Sequence, residues 1–232
     1  GNRQAITFTA SATQVAGAFH TRMSTYRDTV DGRSFYANDS APVVPAAVSE
    51  VVDNVVGLDN RAVKRHPHVV KSVTPATLKT AYGVTSALGT GSGVKVGFVE
   101  FDGYQQSNIA QFDSTNGLTT GKVTTVPVNG ANYDSSPGDG QIEVELDIEV
   151  VHGIAPAAEN YVYEAPNSSA GELAMYQKIA SDRTVSVVSI SWGSCEPAEG
   201  SSSAKSVNNA IATGVAEGIS YFAAAGDDGT TD

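Results

Sequence analysis

Cysteine occurs once in the 232 residues, at Cys195, so the sequence by itself specifies neither a closed disulfide framework nor a thiolate zinc site. No apolar run approaches the length of a membrane span, which argues against a membrane partner. The chain opens on Gly1 without a signal-peptide pattern and therefore reads as an excerpt from a longer product. Basic residues are scarce: 14 Lys and Arg stand against 25 Asp and Glu, for a net charge of -11. With no basic stripe interleaved with aromatics, that balance argues against nucleic acid as the main partner. No internal repeat or low-complexity tract is visible. What is present is a 41% hydrophobic content, enough for a core in one large domain or two smaller ones.

The charge is unevenly spread. Residues 1–72 hold eight Lys and Arg against six Asp and Glu, net +2, whereas residues 73–232 hold six against nineteen, net -13. Such a shift predicts two units, 1–72 and 73–232, whose opposite potentials favour docking. The seam falls between Asn60 and Thr74, where Lys64, Arg65, His66, Pro67 and His68 form an exposed stretch with a breaker. Before it, the spacing of Val48, Val51, Val52 and Val55, with Gly57 as a C-cap, predicts an amphipathic helix within Pro45 to Leu58.

The second unit has a rhythm of apolar strands at Gly93 to Phe101, Asn160 to Ala165, Val185 to Trp192 and Ile219 to Ala225. Helical patterns fall between them at residues 141–152, Gly171 to Ser181 and Ala204 to Glu217. Alternation of this kind implies an α/β fold with a mostly parallel sheet covered by helices and joined by right-handed crossovers.

One of these helices is ambiguous. In Gln141 to Val151, QIEVELDIEVV, apolar residues alternate strictly with Glu143, Glu145, Asp147 and Glu149, as in a half-buried strand. As a helix, the same stretch sets Glu143 and Asp147 four residues apart on one face. Most acidic runs are solvated faces, but two close carboxylates cannot both ionise cheaply, and such pairs serve acid/base chemistry.

Ligands of parallel α/β sheets bind beyond the carboxyl ends of the strands. Glu100 ends the first strand, Ser191, Trp192 and Gly193 end the third, and Asp227 follows the fourth. A strand-end carboxylate such as Glu100 also serves as a helix cap in many proteins, and a lone Trp is usually core. A nucleotide site is disfavoured. Gly89 to Gly93 (GTGSG) precedes its strand instead of linking strand to helix, and Gly121-Lys122 lacks the hydroxyl that should follow.

Glu143 to Asp147 (EVELD), Ser189 to Gly193 (SISWG) and Ala223 to Gly229 (AAAGDDG), in that order, resemble the sedolisins, serine-carboxyl peptidases with a subtilisin-like fold, and most closely their kumamolisin-like branch. Residues 1–70, with AFHTRMSTYR, FYANDSAPVVP and VVGLDN, look like the later part of a sedolisin prodomain. The resemblance implies an α+β prodomain portion followed by the N-terminal part of a catalytic domain. It makes Glu143 the base for a serine, Asp147 its orienting partner and Asp227 the oxyanion-hole donor. Asp228 is the alternative, over which register with the AAAG loop favours Asp227. Glu100 and Trp192 extend the network behind the carboxylates, and Ser191 to Gly193 pairs with an extended peptide substrate. A protonated Asp227 donates to the developing oxyanion, so the resemblance predicts an acidic optimum.

The family's nucleophile lies in a Gly-Thr-Ser motif downstream of the oxyanion aspartate, with calcium ligands further on. Neither is found before Asp232, so none of the serines here, Ser201 to Ser203 included, is assigned as nucleophile, and the polypeptide as given is expected to be inactive. The resemblance further implies secretion, a bound calcium ion held outside this sequence, a peptide or protein substrate, and the prodomain as intramolecular inhibitor. The charge asymmetry between the two units predicts activation by acid, with cleavage near Arg65 to Val73. Cys195 is either free or paired with a later cysteine. Asn38 and Asn167 stand in glycosylation sequons that matter only in a eukaryotic secretory pathway. His152, alone near a helix end, reads as structural. The rival reading is a non-catalytic binding module with the same fold, which the downstream serine discriminates.

Overall fold

The five-stranded parallel sheet at the centre of the molecule follows from its inner strands, which are buried on both faces. In the computed structural model, which describes residues 5–29, 32–62, 64–65, 73–194 and 200–226, its strands are β4 (Lys95–Glu100), β5 (Val123–Pro127), β6 (Glu159–Glu164), β7 (Val187–Ile190) and β9 (Ser220–Ala223), in the order β5-β6-β4-β7-β9. Helices α3 (Gln106–Thr115), α4 (Gln141–Ile154), α5 (Ser169–Asp182) and α6 (Ser201–Ala216) connect them. α2 (Pro75–Ala81) starts on the Thr74 cap with Pro75 at its first turn and packs on α4. This is the expected α/β, subtilisin-like architecture.

Two buried clusters divide the sheet's faces. On one face, Val96, Phe98 and Val162 pack against Val144 and Ile148 of α4 and Ile109 of α3. On the other, Val99, Tyr163 and Val188 meet Met175, Tyr176 and Ile179 of α5 and Ala210 of α6. Because parallel partners in register share a face, Glu100 pairs with Glu164, and Phe98 with Ser189, on the α4 side. β9 forms one edge of the sheet, and its Phe222 is 64% exposed.

The amino-terminal part holds α1 (Ala12–Phe19), opened by a Ser11/Gln14 capping box, and an antiparallel pair, β1 (Met23–Arg27) with β2 (Ser34–Asn38). The helix expected between Pro45 and Leu58 does not form. Turns occupy residues 46–51, with single hydrogen bonds from Val48 N–H to Pro45 O and from Val51 and Val52 N–H to Val48 O. The valines that suggested a face are β-branched and resist continuation of the helix. Val51 is largely exposed, so no packing overrides that preference. Past this stretch β3 (Lys64–Arg65) pairs antiparallel with β8 (Trp192–Gly193).

Candidate active site

The ambiguous acidic stretch is helical. Val144 and Ile148 bury into the sheet while Ile142, Leu146 and Val150 stay exposed, so packing of one face, not the alternation, decides its form. The helix carries Glu143 and Asp147 one turn apart over the carboxyl end of β4 and β7. Glu143 is 9% exposed.

Asp147 sits in a ring of polar groups from the strands. Its Oδ1 accepts a hydrogen bond from the Ser191 hydroxyl at 2.8 Å. Burial lifts its pKa to about 6, against the opposing effect of hydrogen bonds from Ser191, Ser189 and Glu100. Glu100, at the end of β4, is fully buried. Its Oε2 accepts from Trp192 Nε1 at 2.7 Å. Burial first, and the charge of Asp147 next, push the Glu100 carboxyl well above the ordinary carboxylate range, with smaller contributions from Glu143 and Glu164. Among the described residues neither Glu100 Oε1 nor Asp147 Oδ2 meets an N–H or O–H donor. A proton held by Glu100 and offered to Asp147 satisfies both, which is the low-cost state for two buried carboxyls.

Trp192 is fixed as well as bonded: its ring meets Phe101 edge to face at 5.5 Å. On its other side lies Gly140, the N-cap of α4, where a Cβ would stand 2.8 Å from Trp192 Cη2 and 2.7 Å from Asp102 Cβ. Asp102 accepts from the N–H groups of Gly103, Gly138 and Gly140, at 2.8, 2.8 and 2.7 Å. These bonds hold the segment that launches α4 and supply the cap that Gly140 lacks. Further along, Glu145 takes hydrogen bonds from Gln105 N–H, Asn108 and Gln141, tying α4 to α3.

The structure therefore brings together Glu143, Asp147, Glu100, Ser191 and Trp192, and Gly193 follows on β8. Ser191, expected to line the substrate cleft, turns its hydroxyl onto Asp147. Asp227 and Cys195 lie outside the described residues. His152 points away from the carboxylates: buried, it pairs through Nδ1 with Asp113 Oδ1 at 3.0 Å. Asp102 escaped the sequence reading, although an Asp-Gly pair directly after a strand is a turn signal that could have flagged it. Among the described residues no group of three or more His, Cys, Asp or Glu could hold a metal ion, so the calcium implied by the resemblance finds no donor set among them. No described helix is long and apolar enough to cross a membrane.

Comparison with known proteins bears on the fold and the two parts of the chain. Residues 1–61 match the model of the pro-kumamolisin activation domain, and residues 119–232 match that of the subtilase family. Kumamolisin of Bacillus sp. (strain MN-32) is 34% identical over 212 residues, 82% of this chain and 38% of that protein. Sedolisin of Pseudomonas sp. (strain 101) is 29% identical over 252 residues, 98% of this chain and 42% of that protein. Xanthomonalisin of Xanthomonas sp. (strain T-22) is 28% identical over 98% of this chain and 31% of that protein. The chain thus spans less than half the length of each. The fold is that of Pseudomonas sedolisin, a serine-carboxyl proteinase solved with two molecules of pseudo-iodotyrostatin. That match has a TM-score of 0.58 at 24% identity and covers 70% of this chain and 46% of that one. Both matched models, the relatives and the fold agree in likening this chain to the sedolisins.

Proposed function

We propose that this chain carries the acid/base half of a serine-carboxyl endopeptidase site that hydrolyses peptide bonds at acid pH. Glu143 takes the proton of a serine hydroxyl supplied by residues outside this sequence, Asp147 orients Glu143, and Asp227 donates to the oxyanion. A serine hydroxyl is a poor nucleophile until a base removes its proton, and a carboxylate kept from full ionisation can do so without histidine. The observation that carries this reading is the coupling of Asp147, one helical turn from Glu143, to the buried Glu100–Trp192 pair. That coupling holds protons within the network at mildly acidic pH. Trp192 and Gly193 offer their backbone to an extended peptide, with the hydroxyl of Ser191 committed to Asp147.

The amino-terminal part, residues 1–72, acts in this reading as the intramolecular inhibitor. Its end, Lys64–Arg65, already pairs antiparallel with Trp192–Gly193, register Arg65 to Trp192, in the manner of a peptide added to a strand edge. Further hydrogen bonds join the two parts, from Ser169 to Asp59 and from Ser202 to Asn54. Secretion and a calcium ion held by residues beyond Asp232 complete the proposal.

The test is peptide hydrolysis by the product of the complete coding region, with Glu143→Gln as control. Loss of the base is expected to lower kcat by about 10²–10⁴-fold, with the variant still folded by circular dichroism. Activity is expected to fall as pH rises over about 4 to 7, through the carboxylate range. Full activity of the variant, or a neutral optimum, would overturn the proposal.

A further inference from the structure

Beside the carboxyls of the proposed site lies another pair with no part in it. Glu164, at the end of β6, is fully buried and stands in register with Glu100 on the neighbouring strand. Its Oε2 accepts the N–H of Tyr133 at 2.8 Å, and its backbone oxygen accepts the N–H of Val128. Among the described residues Oε1 meets no N–H or O–H donor. The Glu164 carboxyl is within hydrogen-bonding reach of that of Asp134, whose oxygens already accept hydrogen bonds from Tyr104 N–H at 3.3 Å and from the Thr125 hydroxyl at 2.5 Å. A second acceptor facing Asp134 would repel it, whereas a protonated Oε1 donates to it. These contacts bind residues 128–134, the start of the segment that continues through Gly138 and Gly140 into α4.

We propose that Glu164, in its neutral form, is a positioning residue: it clasps Asp134 and Tyr133, and so holds the segment that launches α4 beside Glu100. The proposal rests on the reading of Glu143 and Asp147 as the reactive pair. The titratable groups acting on Glu164 are Asp134 and Asp102, and those it acts on are Glu100, Tyr104 and Tyr133. Among the groups that act on it, no cation offsets the carboxylates. Burial is the main cause that lifts Glu164 to about 8, with the Tyr133 N–H opposing it and Asp134 and Asp102 adding to it. The clasp is therefore closed at acid and neutral pH and opens on the alkaline side. Once ionised, Glu164 loses its bond to Asp134, repels Asp134 and Asp102, and makes ionisation of Glu100 costlier still.

Glu164→Gln is the decisive variant, because the amide reproduces the neutral acid: its oxygen accepts from Tyr133 and its NH2 donates to Asp134. Amide exchange of the 232-residue chain, followed at Tyr133 and Tyr104 and expressed as protection factors, reads the clasp without any peptidase activity. In the wild type, protection is expected to fall about tenfold per pH unit above the transition, the slope of a single deprotonation. Glu164→Gln should keep protection across that range, and Glu164→Ala should lack it at every pH while amides at the Lys95 end of β4 stay protected. Trp192, the only tryptophan, reports on Glu100, so its emission should change with the wild-type transition and stay constant in Glu164→Gln. Identical pH profiles for wild type and Glu164→Gln would overturn the clasp. A released segment with unchanged Trp192 emission would overturn its positioning role. Neither outcome touches the Glu143→Gln test of the activity.

Discussion

Trp192 serves two masters, an aromatic contact with Phe101 and a hydrogen bond to a buried carboxyl, and replacing it separates them. Trp192→Phe keeps an aromatic ring but leaves Glu100 Oε2 without its donor in a site closed to water. Thermal or denaturant unfolding should show a loss of about 1–3 kcal/mol, the cost of an orphaned buried polar group. If stability is unchanged, water reaches Glu100. The neighbouring Gly140 is constrained by space, since a Cβ there falls on both Trp192 and Asp102. Gly140→Ala should cost about 1–3 kcal/mol by overpacking, and the loss should not add to that of Trp192→Phe, because the two share a contact. At this scale much of the site was legible. Glu100 and Trp192 were singled out by their places at strand ends, and Glu143 and Asp147 by their spacing. Glu164 was not, because within Asn160 to Ala165 it read as one more strand residue. Its significance comes only from register with Glu100 and from a loop that returns to it, both non-local.

At the scale of the element, α4 shows why sequence alone left two readings open. Strict alternation over ten residues fits a strand, and only the burial of Val144 and Ile148 against β4 and β6, with Ile142 and Leu146 left outside, selects the helix. The helical spacing also sets Glu145 one turn from Glu149: burial, then the charges of Glu145 and Asp113, lift Glu149 to about 7. The start of α4 depends on Asp102, which gathers three N–H groups into one carboxylate. Asp102→Ala should release residues 138–140 and fray the first turn that carries Glu143, measurable as faster amide exchange at Gly138 and Gly140 while β4 stays protected. Elements built from local apolar runs, such as β4, β6 and α5, were legible to within a few residues. The helix imagined between Pro45 and Leu58 was not real, because a face of valines with nothing to cover it gives no reason to stay helical. α1, the β1–β2 hairpin, α3 and β5 went unseen. β5 is short and half polar, and its pairing with β6 is set by the sheet and not by its own pattern.

For the whole molecule, the buried carboxyls invert the usual dependence of stability on pH. Glu164 and Asp147 keep in the folded state a proton that the unfolded chain releases near pH 4. Their contribution is therefore complete below the ordinary carboxylate range and is lost as pH rises, through about 6 for Asp147 and about 8 for Glu164. Asp39, held low by Arg22, has the opposite sign, but that pair lies at the surface and contributes little. Denaturant midpoints should thus decline from pH 4 to pH 8, the range set by about the unperturbed and raised carboxyl values. Glu164→Gln should flatten the upper half of that decline. A midpoint that rises over the same range would contradict the assignment of protons to this network.

The exposed side of the sheet has a consequence of another kind, for how the polypeptide behaves in a tube. Among the described residues β9 pairs only with β7, so its outer rim presents backbone donors and acceptors that no described strand covers, with Phe222 standing out beside it. No charged side chain guards the four residues Ser220–Ala223, and neither bulge nor proline interrupts them. Such a rim recruits other strands. Solutions of this chain should scatter light increasingly with concentration, and Phe222→Lys should suppress the scattering without altering the circular dichroism. The net charge of -11, which would ordinarily keep molecules apart, is screened within about 8 Å at physiological salt. Added salt should therefore hasten the association, strand edge to strand edge.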